Sequence, residues 1–121
     1  MAPLLTNAGR DILTNRIKAA GTEPNFVAIG TGATAEAASQ TALVTEVETR
    51  VAGTSTRQTT SVANDTYRVV GTVSITATRA LQESGLFDAS SAGNMFTRGV
   101  FTTINLVNGD SIQVTWNLQF T

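Results

Sequence analysis

The sequence predicts a mainly β protein, an antiparallel β-sandwich of about seven or eight strands with one N-terminal α-helix. Three observations lead there. Apolar residues recur at three- and four-residue spacing only near the start of the chain. From Val47 the period becomes two, and turn formers then punctuate the chain every 8–12 residues. Composition agrees, since 21 of the 121 residues are Thr, a β-branched strand former, and only 14% are charged. The chain reads as one domain over 1–121, with the N-terminal arm and helix in 1–21 and the sandwich in 25–121.

The helix is placed at Thr6 to Ala20. Leu5, Ala8, Ile12, Leu13, Ile17 and Ala20 build its apolar face. Thr6 or Asn7 caps its start, and Gly21 ends it in the left-handed conformation. Gly9 weakens its first turns by about 1 kcal/mol relative to Ala. Thr22-Glu23-Pro24 breaks the chain, and the apolar run Phe26 to Ile29 is a buried strand. Gly30 to Gln40, rich in Gly, Ala and Thr, is a loop with room for a helical turn around Ala35 to Ala38, after which Leu43 and Val44 enter the core. Val47, Thr49 and Val51 alternate with Glu48 and Arg50. A turn at Gly53-Thr54, a strand Thr56 to Val62, a turn at Asn64-Asp65 and a long strand Tyr67 to Ala77 complete a three-strand meander. Leu81 to Phe87 and Met95 to Phe101 flank a hairpin turn at Asp88 to Asn94, and Thr102 to Leu106 continues the strand or crosses to another sheet. Asn108-Gly109-Asp110 turns the chain into the last strand. There Ile112, Val114, Trp116, Leu118 and Phe120 share one face, and Gln113, Thr115, Asn117 and Gln119 share the other, without a charge. Solvent-exposed edge strands ordinarily carry charge that prevents pairing with other chains. The last strand is therefore either central in its sheet or paired with a partner molecule.

The residue inventory removes most chemistry. Without Cys or His there is no disulfide, thiolate nucleophile, zinc finger, catalytic triad or imidazole base. A net charge of −1 with dispersed Arg residues argues against nucleic-acid binding, and no apolar run is long enough for a membrane span. No signal peptide is visible. Gly30-Thr31-Gly32-Ala33-Thr34-Ala35 matches a dinucleotide fingerprint, but Arg50 stands where its ribose-binding acid belongs and the chain downstream is antiparallel in pattern. A structural loop is the simpler account. Glu46 and Glu48, two apart on a strand, could act as an acid–base pair, but Arg50 at the next same-face position makes them a solvated Glu–Arg row. Asp65, Asp88 and Asp110 all fall in turns, where their carboxylates bond to backbone. No cofactor or metal is expected, and the chain reads as non-enzymatic.

Four segments carry a resemblance. Leu4-Leu5-Thr6-Asn7-Ala8-Gly9, Val27-Ala28-Ile29-Gly30-Thr31-Gly32, Thr41 to Val47, and Glu83-Ser84-Gly85-Leu86-Phe87-Asp88-Ala89 resemble, in order and approximate spacing, the N-terminal (tail-collar) domain of tailed-phage tail-fibre proteins. The resemblance implies a virion part that docks on a symmetric scaffold, and it adds no catalytic residue. That family domain leads into a fibrous shaft, whereas this sequence reaches Thr121 directly after the amphipathic strand. The expectation is accordingly a head decoration (cement) protein, with a tail or tail-fibre attachment component as the alternative and a carbohydrate-binding module as a third reading. Its expected partners are other phage virion proteins, either the major capsid protein or tail proteins, and further copies of itself in a dimer or trimer. Its expected place is the virion, assembled in the host bacterial cytoplasm. The residues expected to make the contacts are Leu4 and Leu5 in the Met1 to Leu5 arm, Thr31 and Thr34 in the glycine-rich loop, Ser90, Ser91 and Asn94 at the hairpin tip, and Gln113, Thr115, Asn117 and Gln119 on the last strand.

Overall fold

Period-two alternation and frequent turns leave the chain little choice but to bury one face of each strand against another sheet. A computed structural model shows how, describing residues 3–121. The order is β1 (Leu4–Leu5), α1 (Asn7–Ile17), β2 (Phe26–Gly30), β3 (Glu46–Ala52), β4 (Thr54–Gln58), β5 (Thr66–Ser74), β6 (Arg79–Phe87), β7 (Met95–Leu106) and β8 (Ser111–Gln119). These strands form two antiparallel sheets, β1-β7-β6-β2-β3 and β4-β5-β8. The predicted β-sandwich with one N-terminal helix is the observed fold.

The main core lies between the sheets. Val27, Ile29, Leu86 and Phe96 of the larger sheet pack with Val69, Val73, Val114, Trp116 and Leu118 of the smaller one. Each fully buried aliphatic side chain contributes about 1.5–3 kcal/mol. Trp116 is fully buried at the centre, and its indole N–H donates to Ser84 Oγ at 3.3 Å. A second, smaller core sits on the far face of the larger sheet. There Leu43, from the segment after β2, covers Ala28, Phe87 and Met95. The run Glu83 to Phe87 is buried without alternation because both faces of β6 are covered.

The helix is shorter than expected. Thr6 caps it by accepting the Gly9 N–H at 2.8 Å, and its hydroxyl also donates to the Met95 carbonyl. Ala19 turns left-handed at φ 61° and Gly21 at φ 72°, which ends it a turn early. Ile17 consequently points into solvent, 88% exposed, and only Leu5, Ile12 and Leu13 of its expected apolar face reach the core. Gly9 serves packing rather than the helix: a Cβ there would overlap the Phe96 carbonyl.

One connection differs from expectation. Gly53 does not reverse the chain. It lets β3 pass directly into β4 on the opposite sheet, where a Cβ would come within 2.5 Å of Val69 Cγ1. The expected meander is therefore split between the sheets, and only β4 and β5 pair. The Asn108-Gly109-Asp110 turn is present, with Gly109 at φ 95°, yet the strands it joins lie in different sheets. It bridges the sandwich instead of closing a hairpin. Val44, expected in the core with Leu43, is 49% exposed.

Candidate functional site

Strand β8 has one neighbour, β5, in a register that runs unbroken from Thr66↔Gln119 to Ser74↔Ser111. It is thus an edge strand, and of the two expectations for it the central position is excluded. Val114, Trp116 and Leu118 point inward and are buried, while Ser111, Gln113, Thr115, Asn117 and Gln119 are exposed. The same register carries the outward row across the sheet: Ser74, Thr72, Val70, Arg68 and Thr66 on β5, then Thr54, Thr56 and Gln58 on β4. Arg68 is the one charge in that row, and its Nε donates to Asn117 Oδ1 at 2.8 Å. Gln119 Nε2 bonds Ser61 Oγ at 3.1 Å and Asp65 Oδ2 at 3.0 Å. The result is a face made mostly of hydroxyl and amide groups, interrupted by Val70 and Arg68.

The pleat also fixes which backbone groups are free. The Phe120 N–H donates to the Asp65 carbonyl at 2.9 Å, and the Ile75 N–H to the Asp110 carbonyl at 2.9 Å. Both bonds belong to the β5–β8 register, so the even-numbered peptide groups of β8 face β5. The odd-numbered residues Ser111, Gln113, Thr115, Asn117 and Gln119 then direct their N–H and C=O groups at the open edge. Beside this edge runs a groove of about 780 Å³, where Val100, Phe101 and Ile104 of β7 face Ile112 and Val114.

The other strand edges are protected over part or all of their length, that of β7 as far as Val100 and its register shift. Strand β3 is bent by a bulge between Val47 and Val51, where Glu48 takes φ 62° and Glu46 pairs with Arg50 at 2.8 Å. Strand β7 is covered at Thr97 and Arg98 by β1, and its register shifts between Leu81 and Glu83 of β6. Strand β4 has five residues and carries Arg57. Strand β8 has nine residues, no charge, no proline and no bulge.

The remaining expected contact residues are not gathered at this site. Met1 and Ala2 of the arm lie outside the described residues. Leu4 and Leu5 are half-buried in β1, opposite Arg98 and Thr97, and Leu5 packs on the main core. Gly30 lies opposite Glu83 and Phe26 opposite Phe87, so the loop holding Thr31 and Thr34 leaves one end of the larger sheet. The turn holding Ser90, Ser91 and Asn94 leaves the other end. Ser90, Ser91 and Asn94 are exposed, and the Asn94 N–H donates to Asp88 Oδ1 at 2.7 Å. Only Gln113, Thr115, Asn117 and Gln119 form a shared face.

The main electrostatic feature escaped the sequence reading. Glu83 and Arg98 are both buried and pair at 2.8 Å. The Glu83 carboxylate also accepts the N–H groups of Gly32 (3.1 Å), Val44 (3.0 Å) and Thr45 (2.8 Å). Arg98 Nη1 donates to the Thr34 carbonyl at 2.8 Å and to Gln40 Oε1 at 3.2 Å. The pair fastens both ends of the 31–45 segment to the sheet. Nearby, the Val100 N–H donates to Glu36 Oε1 at 2.7 Å, which holds the Glu36 carboxyl below its ordinary range. Gly30 and Gly32 serve this latch, since a Cβ on Gly30 would come within 2.5 Å of Glu83 Oε1. No helix follows them, so nothing of a dinucleotide site is built there.

The β3 bulge also parts Glu46 and Glu48. Glu48 accepts from Thr76 Oγ1 (2.8 Å), Thr76 N–H (3.1 Å) and Arg79 Nε (3.0 Å), and the Thr76 bonds hold its carboxyl below the ordinary range. Arg50 is not solvated as expected. It lies 3.5 Å above the Phe87 ring centre and donates to the carbonyls of Ala89 (3.0 Å) and Ala92 (2.8 Å). Burial and Glu23 push the Tyr67 phenol upward, and its hydroxyl donates to Glu23 Oε1 at 3.1 Å. Among the described residues, no cluster of three or more acidic, His or Cys groups could hold a metal ion, and no helix is long and apolar enough to cross a membrane. Searches against protein-family models, curated proteins and solved structures return no match to this chain.

Proposed function

We infer that this protein is a non-enzymatic structural component of a bacteriophage virion, a head decoration (cement) protein that stabilises the particle through symmetric protein–protein contacts. The observation that carries the reading is the open, uncharged edge and face of β8, a surface that offers backbone bonding and shape but no reactive group. The placement of the carboxylates supports the non-enzymatic part. A general acid at neutral pH needs a raised pKa, whereas Glu36 and Glu48 are lowered by their hydrogen bonds and Glu83 is occupied by four donors. Repetition of a modest contact around a symmetric shell yields stability by avidity. The expected partners are the major capsid protein and other copies of this chain, on a particle assembled in the host cytoplasm.

The Glu83 to Ala89 motif favours a second reading, attachment to the tail or tail fibre. One experiment separates the two. Purified protein is mixed with isolated heads and isolated tails, and bound protein is counted after sedimentation. Saturable binding to heads supports decoration, and binding to tails alone supports the attachment reading. Binding to neither removes both.

A further inference from the structure

We propose that β8 is a homodimer seam, in which two copies pair their β8 strands antiparallel about a two-fold axis through Thr115 and join two small sheets into one. The inference names the partner of the edge described above and so rests on reading that edge as an interaction surface.

Three observations support a second copy in this register. The first is backbone parity. The free peptide groups belong to the odd-numbered residues, so a new antiparallel neighbour must bring its own free groups opposite them. A second β8 does so when Thr115 faces Thr115, Gln113 faces Asn117 and Ser111 faces Gln119. That register satisfies the free groups along the whole nine-residue strand on both copies. The second is the side-chain pairing it produces. The two-fold axis sets Thr115 against itself, so a charge at that position would face its own like, and no residue of the row carries one. Here Thr meets Thr, a favourable cross-strand pair, and Gln meets Asn with no charge on either side. The third is the contrast with the other edges. Those of β3, β4 and β7 carry charge, a bulge or a covering strand, and β8 carries none of these devices. Ile104 and Val107, 41% and 54% exposed, lie at the end of β7 and in the turn that leads into β8, where the approach of a second copy would shelter apolar surface.

The test uses the absence of native cysteine, which makes single-cysteine variants unambiguous. Native mass spectrometry and sedimentation at about 100 µM, high enough to populate a weak standard-size interface, are expected to show a dimer. Directly opposed residues in such a pair lie about 5.5 Å apart between Cα atoms. With a short bismaleimide, Thr115→Cys is therefore expected to cross-link to itself. Gln113→Cys alone is not, because its copy lies four residues along, about 13 Å away. A mixture of Gln113→Cys with Asn117→Cys is expected to cross-link. Thr115→Lys, on the exposed face and so compatible with folding, sets two like charges opposite each other and is expected to weaken the dimer at least tenfold, with an unchanged circular dichroism spectrum.

A monomer under these conditions overturns the seam, as does self-cross-linking of Gln113→Cys in preference to Thr115→Cys. Cross-linking of Thr115→Cys to a different virion protein on the particle overturns it in favour of another occupant. The virion reading is tested apart from it: a monomer that still binds heads removes the seam alone, and a dimer of the stated register that binds neither heads nor tails removes the virion reading alone.

Discussion

Replacing Arg98 with Met should cost about 3 kcal/mol of folding stability, because it leaves a buried carboxylate without its counter-ion. Both side chains are essentially inaccessible, at 1% for Arg98 and 0% for Glu83, so solvent screening does not soften the loss. The expected value sits at the lower end for a broken buried pair because Glu83 keeps its bonds from Gly32, Val44 and Thr45. The informative variant is the double replacement Glu83→Leu with Arg98→Met. Buried ion pairs exchanged for apolar residues of similar volume are often neutral or stabilising. Here the carboxylate is also the acceptor for three loop N–H groups, each costing about 1–3 kcal/mol if stranded. The double variant should therefore remain at least about 2 kcal/mol below the native protein, the loop recovering part of the loss by opening to water. The assay is urea unfolding followed by the fluorescence of Trp116, the single tryptophan and fully buried. With a slope of about 2 kcal/mol per molar urea, Arg98→Met should lower the midpoint by about 1.5 M and the double variant by about 1 M. The double variant should also be cut faster by protease within 31–45. A double variant as stable as the native protein, with an uncut loop, would refute the latch.

Gly9→Ala separates helix propensity from packing: propensity alone gains about 1 kcal/mol, whereas overlap with the Phe96 carbonyl should cost about 1–3 kcal/mol, read as a lower urea midpoint. A raised midpoint would show that the helix can shift to make room. Arg50→Ala removes the contact over Phe87 and two bonds to turn carbonyls, so it should cost about 1–2 kcal/mol and speed amide exchange in 88–94; exchange that does not change would count against the clamp. The Asp65 carboxyl is held well below its ordinary range by the N–H groups of Val62, Thr60 and Ser61 and by the Thr66 hydroxyl. Its folded pKa is depressed, so its contribution is present above its ordinary value near 4 and is lost as the pH falls through the folded value. The urea midpoint should fall between about pH 5 and pH 2, and Asp65→Asn should lower the midpoint at neutral pH and flatten that slope; parallel slopes would contradict the assignment.

Local pattern and long-range pairing divide what the sequence discloses here. Period-two alternation disclosed the strands, and for β8 it disclosed both faces from Ser111 to Gln119, whereas Phe120, expected on the inward face, lies beyond the strand and is 48% exposed. Turn chemistry disclosed the turns at 64–65, 88–94 and 108–110, where Asn64, Gly93 and Gly109 take positive φ. Sheet membership was not legible. Whether Gly53 or Gly109 reverses a strand or carries it to the opposite sheet depends on contacts distant in sequence. The same holds for the β3 bulge, which converts the expected Glu46–Glu48–Arg50 row into two separate ion pairs. The Glu83–Arg98 latch left one trace, the buried run from Glu83 to Phe87, which reads equally as core until a covering segment is known.

The distribution of charge connects the latch to the open edge. The acidic groups of the sandwich are engaged in fastening: Glu83 holds the 31–45 segment, Glu46 and Glu48 hold Arg50 and Arg79, and Asp65 and Asp88 hold their own turns. Charge in a β protein has two common uses, to fasten loops and to keep edges apart. This chain spends it on the first and protects β3 as a by-product, because the Glu46–Arg50 pair sits on that edge. Nothing equivalent lies on β8, although a single Lys in place of Thr115 would cost little on an exposed face. An unguarded edge of nine residues is a hazard for a free monomer and an asset for a protein that meets its own copies. The same substitution therefore discriminates between the two: if Thr115→Lys leaves association and particle binding unchanged, the bare edge is incidental, and if it abolishes pairing while the fold persists, the edge is the interface.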